Sequence, residues 1–164
     1  MENKQLVINE ETQMKTCAFT GHRVLDGNFS KAKLKKEIIK LIGRGVEIFY
    51  NGVAMGFDLL AAEAVLSLRK KHEKIKLVAC VPCYEQEKNY IQKEKERYVK
   101  ILKNADEVIT LSDHYYRGCM QVRDRYMADR ADVLLTYCVK SEGGTAFTVQ
   151  YFQKKYPQKE VIFL

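Results

Sequence analysis

The sequence has no tryptophan and only two prolines, and no apolar run in it approaches the roughly 20 residues that a membrane-crossing helix needs. A bilayer-spanning helix is therefore not expected, nor is a proline-rich linker or a low-complexity segment. The opening MENKQLVINEETQ is too polar to be the apolar centre of a signal peptide. Cysteine occurs in an odd number, as Cys17, Cys80, Cys83, Cys119 and Cys138, in apolar or strand-like settings. That distribution fits reduced thiols in a cytoplasm better than a disulfide framework. The single C-x-x-C, Cys80 to Cys83, has no second pair, so no metal site is expected. The dinucleotide fingerprint is missing too: the one G-x-G, Gly43 and Gly45, precedes a strand and reads as a helix C-cap and turn.

Basic residues are plentiful, 28 Lys and Arg against 21 Asp and Glu, for a net charge of +7. In KAKLKKEIIK and IQKEKERYVK they are interleaved with glutamate and lack neighbouring aromatic platforms, which suits solvated helix faces and disfavours nucleic acid as the partner.

The 164 residues, 46% of them hydrophobic, are enough for one core. Residues 1–14 are expected to form an N-terminal arm and 15–164 a single domain. From Lys15 onward, short β-branched runs alternate with amphipathic stretches. Strands are expected at 16–20, 46–52, 75–82, 107–112, 132–138 and 160–164. Helices are expected at 32–41, 58–68, 85–103, 120–130 and 144–156. Continuous apolar strands joined by helices imply a mostly parallel sheet covered on both faces. The fold class is α/β, a single-domain, Rossmann-like, doubly wound sheet, and ligands of such sheets bind beyond the carboxyl ends of the strands.

The loops at those ends carry the candidate site. After the first strand come Gly21, His22 and Arg23, a glycine that lets a ligand approach, followed by two donors. After the second, Gly52, Ala54 and Gly56 keep side chains clear at the start of a helix, and Asp58 either caps that helix or accepts ribose hydroxyls. Glu63, further along that helix, is an acid–base candidate or a buried polar partner. Tyr84 and Gln86 after the third strand, and Tyr115 or Tyr116 after the fourth, are placed to contact a base. Arg123 either points at a phosphate or pairs internally near Asp124. After the fifth strand, Glu142-Gly143-Gly144-Thr145 opens a helix, where a phosphate cradle belongs, although Gly-Gly and an N-cap threonine also make ordinary turns.

Taken in order, Gly21-His22-Arg23, the run from Gly52 to Glu63, the run from Cys119 to Met127, and Gly143-Gly144-Thr145-Ala146-Phe147-Thr148 resemble the YpsA-like branch of the SLOG superfamily. The resemblance covers nearly all of the chain from Lys15. It implies a Rossmann-like domain that holds a nucleotide, NAD or ADP-ribose-like ligand, with no certain cofactor, in a sensing or regulatory role linked to bacterial cell division. Gly52, Gly56, Asp58, Gly143, Gly144 and Thr145 match the ligand-binding motifs, with Arg123 and Glu63 on their flanks. Among relatives of that superfamily, LOG proteins cleave a base from a nucleoside monophosphate and DprA proteins bind single-stranded DNA. The LOG signature has a proline before its glycines, an extra glycine before the threonine and a glutamate three residues after it. This chain has Glu142, no insertion and Thr148 at those places. Thr148 cannot do a carboxylate's work at an oxocarbenium-like centre. Ligand binding is the leading expectation, catalysis by Asp58, Glu63 or Glu142 is the alternative, and single-stranded DNA binding of the DprA kind, motivated by the net charge of +7, is the third reading. A protein partner is anticipated, and the helix face of Phe147, Tyr151 and Phe152 offers a surface for a second subunit.

Overall fold

The computed structural model describes residues 14–164, so all of the expected arm but Met14 lies outside the described residues. Strands β1 (Thr16–Gly21), β2 (Ile48–Asn51), β3 (Lys76–Val81), β4 (Glu107–Thr110), β5 (Val133–Tyr137) and β6 (Glu160–Phe163) form one sheet. Between them run helices α1 (Lys31–Gly43), α2 (Phe57–Leu68), α3 (Gln92–Asn104), α4 (Cys119–Arg130) and α5 (Gly144–Lys155). The strand order is β4-β3-β2-β1-β5-β6 and every pairing is parallel. This is the Rossmann-like, doubly wound α/β fold expected. The chain winds outward from β1 to β4, then returns across β1 to lay down β5 and β6. The direction of winding thus reverses between β1 and β5, and a crevice opens there.

Alternation along the buried strands sorts side chains between two cores. Cys17 and Phe19 of β1, with Phe49, Leu77 and Leu135, pack on α1, α2 and α3. Ala18 of the same strand, with Val78, Cys80 and Leu134, packs on Met127 of α4 and on Val149 and Phe152 of α5. Stacking of Phe19 on Phe49, with ring centroids 5.7 Å apart, locks β1 to β2 beneath the loops.

Local signals place the helix ends. The Ser30 hydroxyl accepts the Lys33 N–H at 3.2 Å and starts α1. Its end is closed by bonds from the Gly45 N–H to the Ile42 carbonyl and from the Val46 N–H to the Leu41 carbonyl, each 3.0 Å, as the Gly43-x-Gly45 pattern suggests. The charged stretch from Glu85 is different. Instead of one helix it forms a short 3₁₀ turn, Gln86–Asn89, and only then α3. The reason is tertiary: Tyr90 donates its hydroxyl to the Val53 carbonyl at 2.9 Å and meets Tyr98 edge-on, which turns the chain inward before α3 begins.

Candidate functional site

Beyond Tyr137 the chain reaches Gly143, whose φ of 100° and ψ of −177° suit glycine alone, and then enters α5. A Cβ built at Gly143 or Gly144 would meet nothing within 4 Å, so both residues border open space. Among the described residues no side chain caps α5, and its first intrahelical bond runs from the Phe147 N–H to the Gly143 carbonyl at 2.9 Å. The N–H groups of Gly144, Thr145 and Ala146 thus precede the helix's own acceptors and carry the positive end of its dipole. Thr145 is a buried residue of the first turn and does not act as an N-cap.

The loop from Asn51 to Asp58 is built differently, because its polar groups are taken up within the protein. Asn51 accepts the Val53 N–H at 2.7 Å and donates to the Asp58 carbonyl at 2.8 Å. The Ala54 N–H goes to Asp58 Oδ2 at 3.3 Å, and the Phe57 N–H to the His22 carbonyl at 3.1 Å. The Gly52 carbonyl accepts from Arg123 Nη1 at 2.6 Å and from Gln86 Nε2 at 3.1 Å. These contacts hold Val53 at a φ of 53°, a costly conformation for a β-branched residue. The small residues here make room for protein. A Cβ at Gly52 would lie 2.7 Å from Arg123 Nη1, one at Gly56 would overlap the Arg23 carbonyl, and one at Gly21 would overlap the Phe57 ring.

Two ionisable groups set the electrostatics. Arg123 is 4% exposed and also donates to Asp124 Oδ1 at 2.8 Å and to the Cys80 carbonyl at 3.3 Å. Burial alone would lower its pKa, but Asp124 and Asp58 hold it above its ordinary value, so it stays charged. Asp58 is 6% exposed, and its Oδ1 is buried without a partner among the described residues. Burial, opposed by Arg123 and reinforced by Asp124, pushes its pKa up to about 7.

His22 ties the loops together. Its Nε2 accepts the Val139 N–H at 2.9 Å, which fixes the neutral tautomer with the proton on Nδ1. Burial, then the nearby Lys140 charge, lowers its pKa against the opposing pull of Asp26.

A cleft of about 480 Å³ at the β1–β5 reversal brings together Gly21, His22, Arg23, Ala54, Asp58, Arg123, Glu142, Gly143, Gly144 and Thr145. Gly52 sits behind its wall under Arg123, and Gly56 is packed against the first loop. Glu63 lies elsewhere, on the outer side of α2, paired with Arg97 of α3. Thr148 is 2% exposed and gives its hydroxyl to the Gly144 carbonyl at 2.9 Å. Phe152 is fully buried in the chain's own core, so only Phe147 and the partly buried Tyr151 remain on the face expected for a second subunit. Sequence reasoning missed Lys140, which lines the cleft, and Asn51, which shapes its floor. Lys140 carried a usable signal as the one basic residue between β5 and the glycines; Asn51 carried none beyond ending a strand. Among the described residues no helix is long and apolar enough to cross a membrane.

The family model for YpsA, described as the YspA SLOG family, matches residues 19–163. UPF0398 protein YpsA of Bacillus subtilis is 28% identical over 158 residues, 88% of this chain and 88% of the relative. A UPF0398 protein of Halalkalibacterium halodurans is 30% identical over 159 residues, covering 90% of this chain and 84% of the relative. Among solved structures, DNA processing protein A of Helicobacter pylori, which binds single-stranded DNA, superposes with a TM-score of 0.63 at 19% identity, over 94% of this chain and 67% of that one. DNA processing protein A of Streptococcus pneumoniae superposes with a TM-score of 0.59 at 14% identity, over 93% of this chain and 51% of that one, so the chain spans about half its length. At such identities these likenesses bear on the fold alone.

Proposed function

The chain belongs to the YpsA SLOG family, and on that premise we propose that it is a nucleotide-binding regulatory protein whose ligand rests a phosphate on the N-terminus of α5. The observation that carries this reading is the pairing, in one cleft, of an uncapped helix start bordered by open glycines with a buried carboxylate that has a free oxygen. The amides of Gly144 and Thr145 suit a phosphate, with Lys140 and Arg23 adding positive charge at the rim. Asp58 suits the hydroxyls of a ribose, since among the described residues its Oδ1 has no partner and its Oδ2 accepts the Ala54 amide. His22, by joining the loops after β1, β2 and β5, positions the cradle and leaves the chemistry to others.

Binding is placed ahead of cleavage because Arg123 is committed to internal partners, Glu63 lies outside the cleft and Thr148 supplies no carboxylate; cleavage by Asp58 or Glu142, which line the cleft, is the second reading. In a cytoplasmic setting, the liganded state would be read by a protein partner. The test is calorimetry and thermal shift with nucleotides, NAD and ADP-ribose on the wild type and on Gly144→Asp. That variant puts a like charge where the phosphate belongs, at a position with space for a side chain. Binding that Gly144→Asp abolishes is the expected result; no binding by any of these probes, or binding indifferent to the substitution, refutes the proposal. Chromatography of the same mixtures for released base separates a binder from an N-glycosidase.

A further inference from the structure

Beside the cleft lies a second groove of about 810 Å³, lined by Tyr84, Gln86, His114 and Tyr115. Arg23 and Met120 line both, so the two run together along the carboxyl edge of the sheet. Tyr84 and Tyr115 are 64% and 67% exposed, two large aromatic surfaces left in solvent in the lining of the groove. In the same lining Gln86 is 8% exposed and oriented by its bond to the Gly52 carbonyl at 3.1 Å. Its Oε1 is buried without a partner among the described residues. A pinned amide with a spare acceptor and two exposed aromatic side chains in one groove have the makings of a seat for a flat heterocycle: faces to stack on and one polar group to read an edge.

We propose that this groove is the base end of the ligand site, which therefore takes a nucleotide carrying a chain of two or more phosphates. The inference rests on the cleft holding a phosphate, and adds where the base lies and how long the ligand is. The cradle follows β5 and the groove follows β3 and β4, so the two ends stand three strand spacings apart in the order β3-β2-β1-β5, roughly 14 Å at about 4.8 Å per spacing. A nucleoside monophosphate joins phosphate to base through one sugar and is too short to fill both ends. A diphosphate or triphosphate extends toward the cradle while its base stays in the tyrosine-lined groove, and Arg23, which lines both, meets the phosphates on the way.

The experiment is calorimetric titration of the full chain with ribose 5-phosphate and with the mono-, di- and triphosphates of adenosine and guanosine. The proteins compared are the wild type, Tyr84→Ala, Tyr115→Ala and Gly144→Asp. Both tyrosines are exposed, so their truncation leaves the core untouched. Affinity is expected to rise about tenfold or more from mono- to diphosphate. Each tyrosine variant is expected to weaken di- and triphosphate binding by about tenfold, the size of a lost base–aromatic stack, and to leave ribose 5-phosphate binding unchanged. Diphosphates binding no tighter than monophosphates, or tyrosine variants binding them like the wild type, would overturn the two-ended site while leaving the phosphate cradle standing. Failure of every probe, ribose 5-phosphate included, would overturn both.

Discussion

His22 accepts the backbone N–H of Val139 on its Nε2 at 2.9 Å, and this bond spans the crevice where the sheet reverses. The His22 carbonyl meanwhile accepts the Phe57 N–H at 3.1 Å, so one residue fastens the loops after β1, β2 and β5. A protonated imidazole has no lone pair for Val139, which makes the fastening dependent on the neutral form. The His22 pKa is lowered from 6.5 in the folded chain. As pH falls below that value the unfolded chain takes up a proton that the folded chain resists, so this stability, present above 6.5, is lost as pH drops through the folded pKa. His22→Gln should flatten the acid side of the melting-temperature profile, and nucleotide affinity should fall with pH in the wild type more steeply than in the variant. Parallel profiles for the two proteins would show that His22 does not carry this dependence.

Asp58 titrates in the opposite sense. Its pKa rises from 3.8 to about 7, so the folded chain holds a proton that the unfolded chain releases between those values. Its contribution is fully present below 3.8 and is lost as pH rises through about 7. Above neutrality the ionised group weakens the fold, because its Oδ1 is buried without a partner among the described residues. Asp58→Asn keeps an oxygen for the Ala54 amide and is expected to raise stability at pH 8 by on the order of 1 kcal/mol, with little effect at pH 5. The same variant is expected to lose most of its nucleotide affinity. Urea unfolding at the two pH values, with calorimetry alongside, checks both halves; a variant that binds normally would remove Asp58 from the ligand's path.

Much of this was open to sequence reasoning, and the reason is physical. Buried parallel strands must be continuous and apolar, so TCAFT and VLLTY stand out from the helices around them, and their order places the loops on one edge. Glycines are harder to interpret, because a missing side chain looks the same whether it makes room for a ligand or for protein. Gly143 and Gly144 border solvent, whereas Gly21, Gly52 and Gly56 accommodate Phe57, Arg123 and the Arg23 carbonyl. Local pattern cannot separate the two cases, since Arg123 lies 71 residues from Gly52. The break before α3 was hidden for the same reason: Tyr90 turns inward to a carbonyl 37 residues away.

That division among the glycines is measurable. Gly56 has a φ of 77° and no room for a Cβ beside the Arg23 carbonyl, so Gly56→Ala should cost about 3 kcal/mol or more. Gly52→Ala must push the buried Arg123 guanidinium off the Gly52 carbonyl and is expected to cost about 2–4 kcal/mol. Gly144→Ala meets open space at the start of a helix and should stabilise by about 0.5 kcal/mol, while narrowing the cradle and weakening nucleotide binding. Denaturant midpoints for the three variants would rank them; equal destabilisation by Gly144→Ala would mean that the cradle glycine is also structural.

Substitutions at Thr148 test whether the proposed site holds a ligand or cuts it. It stands one turn into α5, nearly fully buried, with its hydroxyl on the Gly144 carbonyl. A carboxylate at that position would be buried, and among the described residues no cation bonds there, so Thr148→Glu should destabilise by about 2–4 kcal/mol at neutral pH. Thr148→Val loses only the bond within the helix, at a cost of about 0.5–1 kcal/mol. On the binding reading neither substitution should release base from nucleotides; Glu63 is paired with Arg97 outside the cleft, which leaves Asp58 and Glu142 as the candidate carboxylates that line it. Chromatography of nucleotide incubations with wild type, Thr148→Val and Thr148→Glu provides the check. Free base from the wild type that Thr148→Val leaves intact and Asp58→Asn eliminates would make Asp58 a catalytic residue, and the cleft an active site.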